Sequence, residues 1–339
     1  MIQTRTAGQA CRALSLHVHC QTWLPRRHGR APLLLLPRVV RDERDSAPGG
    51  GPWRRGGPVS DTRMARRAIA DIRSVCRYAR PASAARWLTS FAAHLTECES
   101  TRSLVPADRI WARTGARFRL PGGAMISLPG ACTAGAREMY CRNVYLRTGL
   151  IMPRTGWVLD LGANRGLFSV WAAIAGAQAV AVEAQQGFGL EIRRLAEHND
   201  VGARVHVEIA LVGGIATAGA TVGVVADDQR WATTSHGAPQ RPSGVSVPQL
   251  MSAYRIDRIG LMKVDIEGGE FAVFSDEEDL SWLDQVDQVG MEVHGDFGDA
   301  AVLVGRLRQH GFAADLRDNA GTRVSATSNR LDYAYFRRS

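Results

Sequence analysis

The sequence predicts an α/β protein with a mostly parallel sheet covered on both faces by helices, and three observations carry that prediction. From residue 157 onward, short apolar runs of strand length alternate with longer segments of helical period. The first such pair is joined by a glycine-bearing turn: Trp157-Val158-Leu159-Asp160-Leu161-Gly162-Ala163-Asn164-Arg165-Gly166 runs into the apolar stretch 167–174. Ionisable residues gather where the apolar runs end, at Glu183, at Lys263-Val264-Asp265-Ile266-Glu267 and at Glu292-Val293-His294. Ligands of such sheets bind beyond the carboxyl ends of the strands, so these are the positions to inspect.

The chain has 339 residues, enough for one large domain or two modest ones. Its net charge of +9 suggests a nucleic-acid partner until the charge is located. The first 80 residues hold sixteen arginines against five carboxylates, so the remainder is slightly acidic. The basic charge belongs to an extension, and no nucleic-acid face is expected on the main body. Six cysteines at irregular spacings form neither a zinc site nor a disulfide framework, which fits a reduced cytoplasm. The apolar run 31–36 is too short to span a membrane, and no secretory leader is expected.

Residues 1–63, rich in Arg, Gly and Pro, read as disordered, and Met64 is the expected true start of the protein. Residues 64–136 read as a small α+β cap. Ile69, Ile72, Val75 and Cys76 predict a helix that ends before Pro81, and a second helix covers 82–95. Alternation over 109–128 predicts two or three antiparallel strands with Gly turns. The main domain, 137–339, starts from a helix over 135–148. Strands are then expected at 157–161, 178–183, 204–209, 219–225, 260–265, 286–293, 312–316 and 331–337. Helices are expected at 166–175, 187–199, 269–280 and 298–310. The Gly/Pro/Ser-rich segment 226–244 is the natural lid or substrate loop.

The chemistry lies at three strand ends. The turn after the first strand offers backbone N–H groups and a helix N-terminus, with Gly162, Asn164 and Gly166 at its corners. Glu183, about twenty residues further on, sits where a carboxylate accepts hydrogen bonds from ribose hydroxyls. This combination fits a nicotinamide dinucleotide or S-adenosylmethionine. An Asp at position 160 would repel a pyrophosphate and suits a ligand carrying an ammonium and a sulfonium. Further along, Lys263 and Asp265 share one face of a strand and Glu267 follows in the turn. Of the 42 cationic Lys and Arg residues, Lys263 is the single lysine, so a compact ammonium stands at one strand end in a chain that otherwise uses Arg. Glu292 and His294 share a face one strand later.

With these residues in view, the chain resembles the FkbM-type methyltransferases, S-adenosylmethionine-dependent enzymes on the class I, Rossmann-like, seven-stranded fold. The matching pieces are 158–169, Glu183, Lys263-Val-Asp-Ile-Glu-Gly-Gly-Glu270, Glu292 with His294, and the segment 245–250. Two positions depart from the family's pattern: Ala184 stands where Pro is usual, and Glu208 where Asn is often found. The resemblance implies S-adenosylmethionine as cofactor, held by Asp160, Gly162, Asn164, Gly166, Glu183 and Glu208. It also implies O-methylation of a small-molecule hydroxyl on a sugar, glycoside or polyketide-type product. His294 or Asp265 would serve as base, with Lys263 and Glu267 completing the catalytic set. No metal is assigned; Asp265, Glu267 and Glu292 would be the ligands if one took part. A nicotinamide-dependent oxidoreductase and a non-catalytic S-adenosylmethionine-binding module remain the alternatives.

Overall fold

Among the described residues, the alternating strands and helices of the second half close into one eight-stranded sheet. In this computed structural model, residues 59–213 and 242–338 are described. The cap consists of helices α1 (Val59–Tyr78), α2 (Pro81–Ala93), α3 (Leu95–Thr101) and α4 (Val105–Thr114), then a hairpin of β1 (Ala116–Arg119) and β2 (Met125–Leu128). A π-helical turn, Arg137–Arg142, leads toward the main sheet. There follow β3 (Trp157–Leu161), α5 (Leu167–Ala175), β4 (Gln178–Glu183), α6 (Gln186–His198), β5 (Val205–Val212), β6 (Ser243–Val245) and α7 (Val247–Tyr254). The chain continues through β7 (Ile259–Val264), α8 (Glu270–Val273), β8 (Gln288–Glu292), α9 (Ala300–Gln309), β9 (Phe312–Arg317) and β10 (Tyr333–Arg338).

Strand order is β6-β5-β4-β3-β7-β8-β10-β9, with β10 antiparallel to both neighbours and every other pairing parallel. The chain steps outward from β3 through β4, β5 and β6, then returns to place β7 on the other side of β3. The crevice between the β3 and β7 ends is therefore the switch point at which α/β sheets bind ligands. This is the Rossmann-like arrangement expected, with the short edge strand β6 beside the seven strands that the resemblance implies.

The two faces of the sheet bury separate cores. Val158, Ala179, Ala181 and Val207 pack with α5, α6 and the cap, while Leu159, Leu161, Val182 and Val264 pack with α7, α8 and α9. A run of rings ties the cap to the sheet: Trp87, Trp111, Phe118, Tyr140 and Trp171 touch in sequence, each with centroids 5.1–6.1 Å from the next. The Tyr140 hydroxyl donates to the Leu167 carbonyl at 2.8 Å, in the first turn of α5. Arg137 is buried between Asp71 at 2.6 Å and Asp108 at 3.0 Å, which joins α1 and α4 to the π-helical turn.

Several boundaries differ from those read in the sequence, each for a local reason. α1 begins at Val59 and Met64 falls inside it; the disorder expected for residues 1–58 lies outside the described residues. Residues 109–114 are helical and belong to α4, where Pro106 and Asp108 suit a first turn and Ala107 and Trp111 share the buried side. The helix expected over 135–148 is cut short by left-handed residues at Asn143 and Thr148. The one expected over 269–280 stops at Val273, ahead of Asp276-Glu277-Glu278-Asp279, four carboxylates that a helix C-terminus disfavours. The strand expected at 219–225 and most of the loop 226–244 lie outside the described residues.

Candidate active site

At the end of β3, Asp160 is fully buried and turned into the protein. Its Oδ2 accepts from the backbone N–H of Ser169 at 3.1 Å and from the Ser169 hydroxyl at 2.6 Å, in the first turn of α5. Its Oδ1 lies 3.2 Å from the Lys263 ammonium. The structure therefore gives Asp160 the work of holding the turn. Its carboxylate is thereby engaged by Ser169 and Lys263 within the protein.

The turn itself is shaped by close approach. Gly162 has φ +77°, and a Cβ there would stand 1.7 Å from the Asp265 carbonyl oxygen, so the β3 and β7 turns touch backbone to backbone. Asn164 has φ +49° and presents its N–H to Glu183 Oε2 at 2.8 Å. Gly166, with φ +78°, opens α5 against the Ile192 side chain.

Glu183 closes β4 and is buried. Its two oxygens each accept one backbone N–H at 2.8 Å, from Asn164 and from Gln185. Burial pushes this carboxyl above its ordinary range, and the two N–H groups hold it back. Each carboxylate oxygen has a second acceptor direction, which suits the vicinal hydroxyls of a ribose. The donor set thus fits a nucleoside cofactor between the Gly162–Gly166 turn and β4.

Lys263 pairs in register with Asp160 and is also buried. Its ammonium donates to the Gly162 carbonyl at 2.6 Å, lies 3.7 Å from Asp265 Oδ2, and stands over the Tyr145 ring at 5.2 Å from the centroid. Burial alone would lower its pKa; the charges of Asp160 and Asp265 outweigh that and raise it, so it stays an ammonium. Lys263 is a strut joining both turns.

Beyond it, the β7 and β8 ends bring four carboxylates around one imidazole. The Tyr145 hydroxyl donates to Asp265 Oδ2 at 2.6 Å and to Glu292 Oε2 at 3.3 Å. Burial, then the Asp265 charge beside it, pushes the Glu292 carboxyl well up, and the same two causes keep the Tyr145 phenol protonated. Glu270 is fully buried; its Oε1 accepts from the His294 backbone N–H at 2.7 Å and faces His294 Nδ1 at 3.1 Å. Its Oε2 accepts from the Gly268 N–H at 3.0 Å. His294 Nε2 lies 3.4 Å from Oε2 of Glu267, whose side chain is 77% exposed. Burial would lower the His294 pKa, but the Glu270 hydrogen bond and the Asp265 and Glu292 charges raise it to about 9. Asp265, Glu267 and His294 bring one ligand atom each within 4.8 Å of one another, so they form a donor set for a metal ion.

The structure thus gathers Asp160, Gly162, Asn164, Gly166, Glu183, Lys263, Asp265, Glu267 and His294 at the β3, β4, β7 and β8 ends. Glu208 stands apart. It pairs in register with Val182, whose side chain packs on the α7 side of the sheet, and it accepts a hydrogen bond from the Tyr254 hydroxyl of α7. Its place in mid-strand turns it away from Glu183. Tyr145 has no local signal: it comes from the segment that joins the cap to β3, 120 residues before Asp265. Arg165, buried over the Phe188 ring and paired with Glu191, likewise has none.

A mostly parallel sheet with this strand order, a glycine turn facing the buried Glu183, and carboxylates at the next strand ends make up a Rossmann-like fold of the class I methyltransferase kind. Residues 160–317 match the family model of the methyltransferase FkbM domain. S-adenosylmethionine is the cofactor that this family and fold imply. A 31-O-demethyl-FK506 methyltransferase, FkbM, of Streptomyces tacrolimicus is 27% identical over 250 residues, which take in 63% of this chain and 96% of that protein. The AMB antimetabolite synthetase AmbE of Pseudomonas aeruginosa is 26% identical over 233 residues, 54% of this chain and 11% of that one.

Among solved structures, the putative tRNA (m1A22) methyltransferase Sp1610 of Streptococcus pneumoniae aligns with a TM-score of 0.33 at 12% identity, over 55% of this chain and 64% of that one. The B. subtilis M1A22 tRNA methyltransferase TrmK aligns with a TM-score of 0.33 at 10% identity, over 58% and 64%. The aligned part is less than two thirds of either solved chain. Among the described residues, no helix is long and apolar enough to cross a membrane.

Proposed function

We propose that the protein is an S-adenosylmethionine-dependent O-methyltransferase acting on a hydroxyl of a small molecule of the sugar, glycoside or polyketide kind. The observation that carries this reading is the pairing of a ribose-type cradle, Glu183 with the Asn164 turn, and a carboxylate-rich strand end at Asp265, on one face of the sheet. The relative named for 31-O-demethyl-FK506 supports the oxygen and the class of acceptor.

S-adenosylmethionine supplies an electrophilic methyl group. The acceptor oxygen forms the new O–C bond as the S–C bond breaks, the sulfur keeps the electron pair, and the hydroxyl proton leaves. An alcohol is a weak nucleophile, so a positioned base lowers the barrier. Asp265 is that base: Tyr145 fixes one of its oxygens and Lys263 holds its turn. Both ring nitrogens of His294 face carboxylates, so the imidazole binds and orients. Lys263 and Asp160 keep the two turns in register, which sets donor and acceptor in line.

Incubating the protein with methyl-labelled S-adenosylmethionine and small-molecule extracts tests this reading. A labelled O-methyl product supports it, whereas label on nitrogen or carbon alone, or a bound nicotinamide absorbance, contradicts it.

A further inference from the structure

We infer that Asp265, Glu267 and His294 form a divalent-cation site at the mouth of this active site, open to the acceptor hydroxyl; the inference rests on the methyltransferase reading above. Geometry comes first. One ligand atom from each residue lies within 4.8 Å of the other two. An octahedral ion of the magnesium or manganese size holds its ligands about 2.1 Å away, so its donors stand about 3 Å apart when adjacent and about 4.2 Å when opposite. Such an ion lies within side-chain reach of all three donors. They come from two strand ends joined by Glu270, so their backbones are already fixed.

The surroundings of His294 are a second observation. A metal-bound histidine typically turns its other ring N–H to a carboxylate that sets tautomer and orientation. Glu270, fully buried, faces His294 Nδ1 at 3.1 Å and is itself anchored by the Gly268 N–H. That leaves Nε2 on the side of Asp265 and Glu267. Asp265 is oriented in the same way by the Tyr145 hydroxyl. A cation seated there replaces the proton on Nε2, which passes to solvent.

Charge favours the same occupant. Asp265, Glu267, Glu270 and Glu292 converge here, and of the two cationic side chains beside them Lys263 already faces Asp160. Two carboxylates and one imidazole select an oxygen-preferring divalent ion such as magnesium or manganese over metals that favour thiolates. Three protein ligands leave positions for water and for the acceptor oxygen, whose developing negative charge the cation stabilises; with the ion seated, Asp265 serves as its ligand and a bound water takes the proton that Asp265 takes without it. Glu267 is largely exposed, so the ion would sit on the solvent side, where the acceptor enters.

The test uses the full chain stripped with EDTA and titrated with manganese chloride. Free manganese is followed by electron paramagnetic resonance, and bound manganese by the spin-echo modulation of a coordinated nitrogen. One manganese per chain with an imidazole nitrogen coupling is expected. Asp265→Asn and Glu267→Gln should weaken it at least tenfold, and His294→Ala should remove the coupling. Glu267→Gln alters an exposed side chain, so it reports on the site even where the other variants do not fold.

No bound manganese, or binding unchanged in Glu267→Gln, overturns the site and leaves Glu267 and His294 as a plain ion pair. Calorimetric titration with S-adenosylmethionine on the same samples separates the two ideas. Cofactor binding without manganese removes the cation alone, whereas manganese binding without cofactor removes the methyltransferase reading and keeps the site.

Discussion

The Lys263 ammonium donates to the Gly162 carbonyl at 2.6 Å, so a side chain on β7 holds the backbone of the turn that follows β3. Asp160 lies 3.2 Å from the same ammonium and ties the first turn of α5 into the contact. Removing the ammonium strands a buried carboxylate, a loss that typically costs about 3–5 kcal/mol. Lys263→Met is therefore expected to lower unfolding free energy by about that much in urea titration. Lys263→Arg should also weaken the protein, because a planar guanidinium needs more room than this closed site gives.

Gly162 is constrained by its backbone neighbour across the β3 and β7 turns. With a Cβ placed 1.7 Å from the Asp265 carbonyl, Gly162→Ala must push the two turns apart. Thermal melts should show a marked loss of stability even without cofactor. A variant as stable as the parent would mean that the turns do not touch.

Glu183 carries a pH dependence whose sign follows from its burial. Its pKa is raised from 4.5, so the folded protein takes up this proton more readily than the unfolded chain, and ionising Glu183 opposes folding as pH rises from 4.5 through the raised value. Ribose hydroxyls donate to the charged form. Cofactor affinity should therefore fall as pH drops, with a midpoint above 4.5. Glu183→Gln should bind roughly 10- to 100-fold more weakly and lose the pH dependence, since an amide N–H₂ would face one of the two backbone N–H donors.

Glu208 supplies the contrasting control. Its partner is the Tyr254 hydroxyl, on the α7 side of the sheet. Glu208→Gln should leave cofactor affinity within about twofold, well under the loss from a broken charged hydrogen bond. A loss as large as that of Glu183→Gln would place the carboxylate against the adenine.

The sheet was legible because its strands and helices change period sharply and because polar residues in a buried strand have few uses. Asp160, Lys263 and Asp265 stood out for that reason, and all three sit at the switch point. What escaped was set by tertiary contact. Tyr145 reaches Asp265 from the linker after the cap, and nothing in its neighbours marks it. A sequence shows that the carboxylate of Asp160 ends a strand, but not that Ser169 and Lys263 are its partners. Glu208 reads as a strand-end residue because mid-strand and strand-end positions look alike when the strand's length is unknown, and β5 runs on to Val212. In the cap, residues 109–114 alternate by accident, and Pro106 with Asp108 was the stronger signal.

The central claim is that the Glu183 cradle binds S-adenosylmethionine for methyl transfer. Calorimetric titration of the purified chain with S-adenosylmethionine, beside Glu183→Gln and Glu208→Gln, tests it most directly. One cofactor per chain, weakened at least tenfold by Glu183→Gln and unchanged by Glu208→Gln, is the expected result. No heat of binding, or binding indifferent to Glu183, would contradict it.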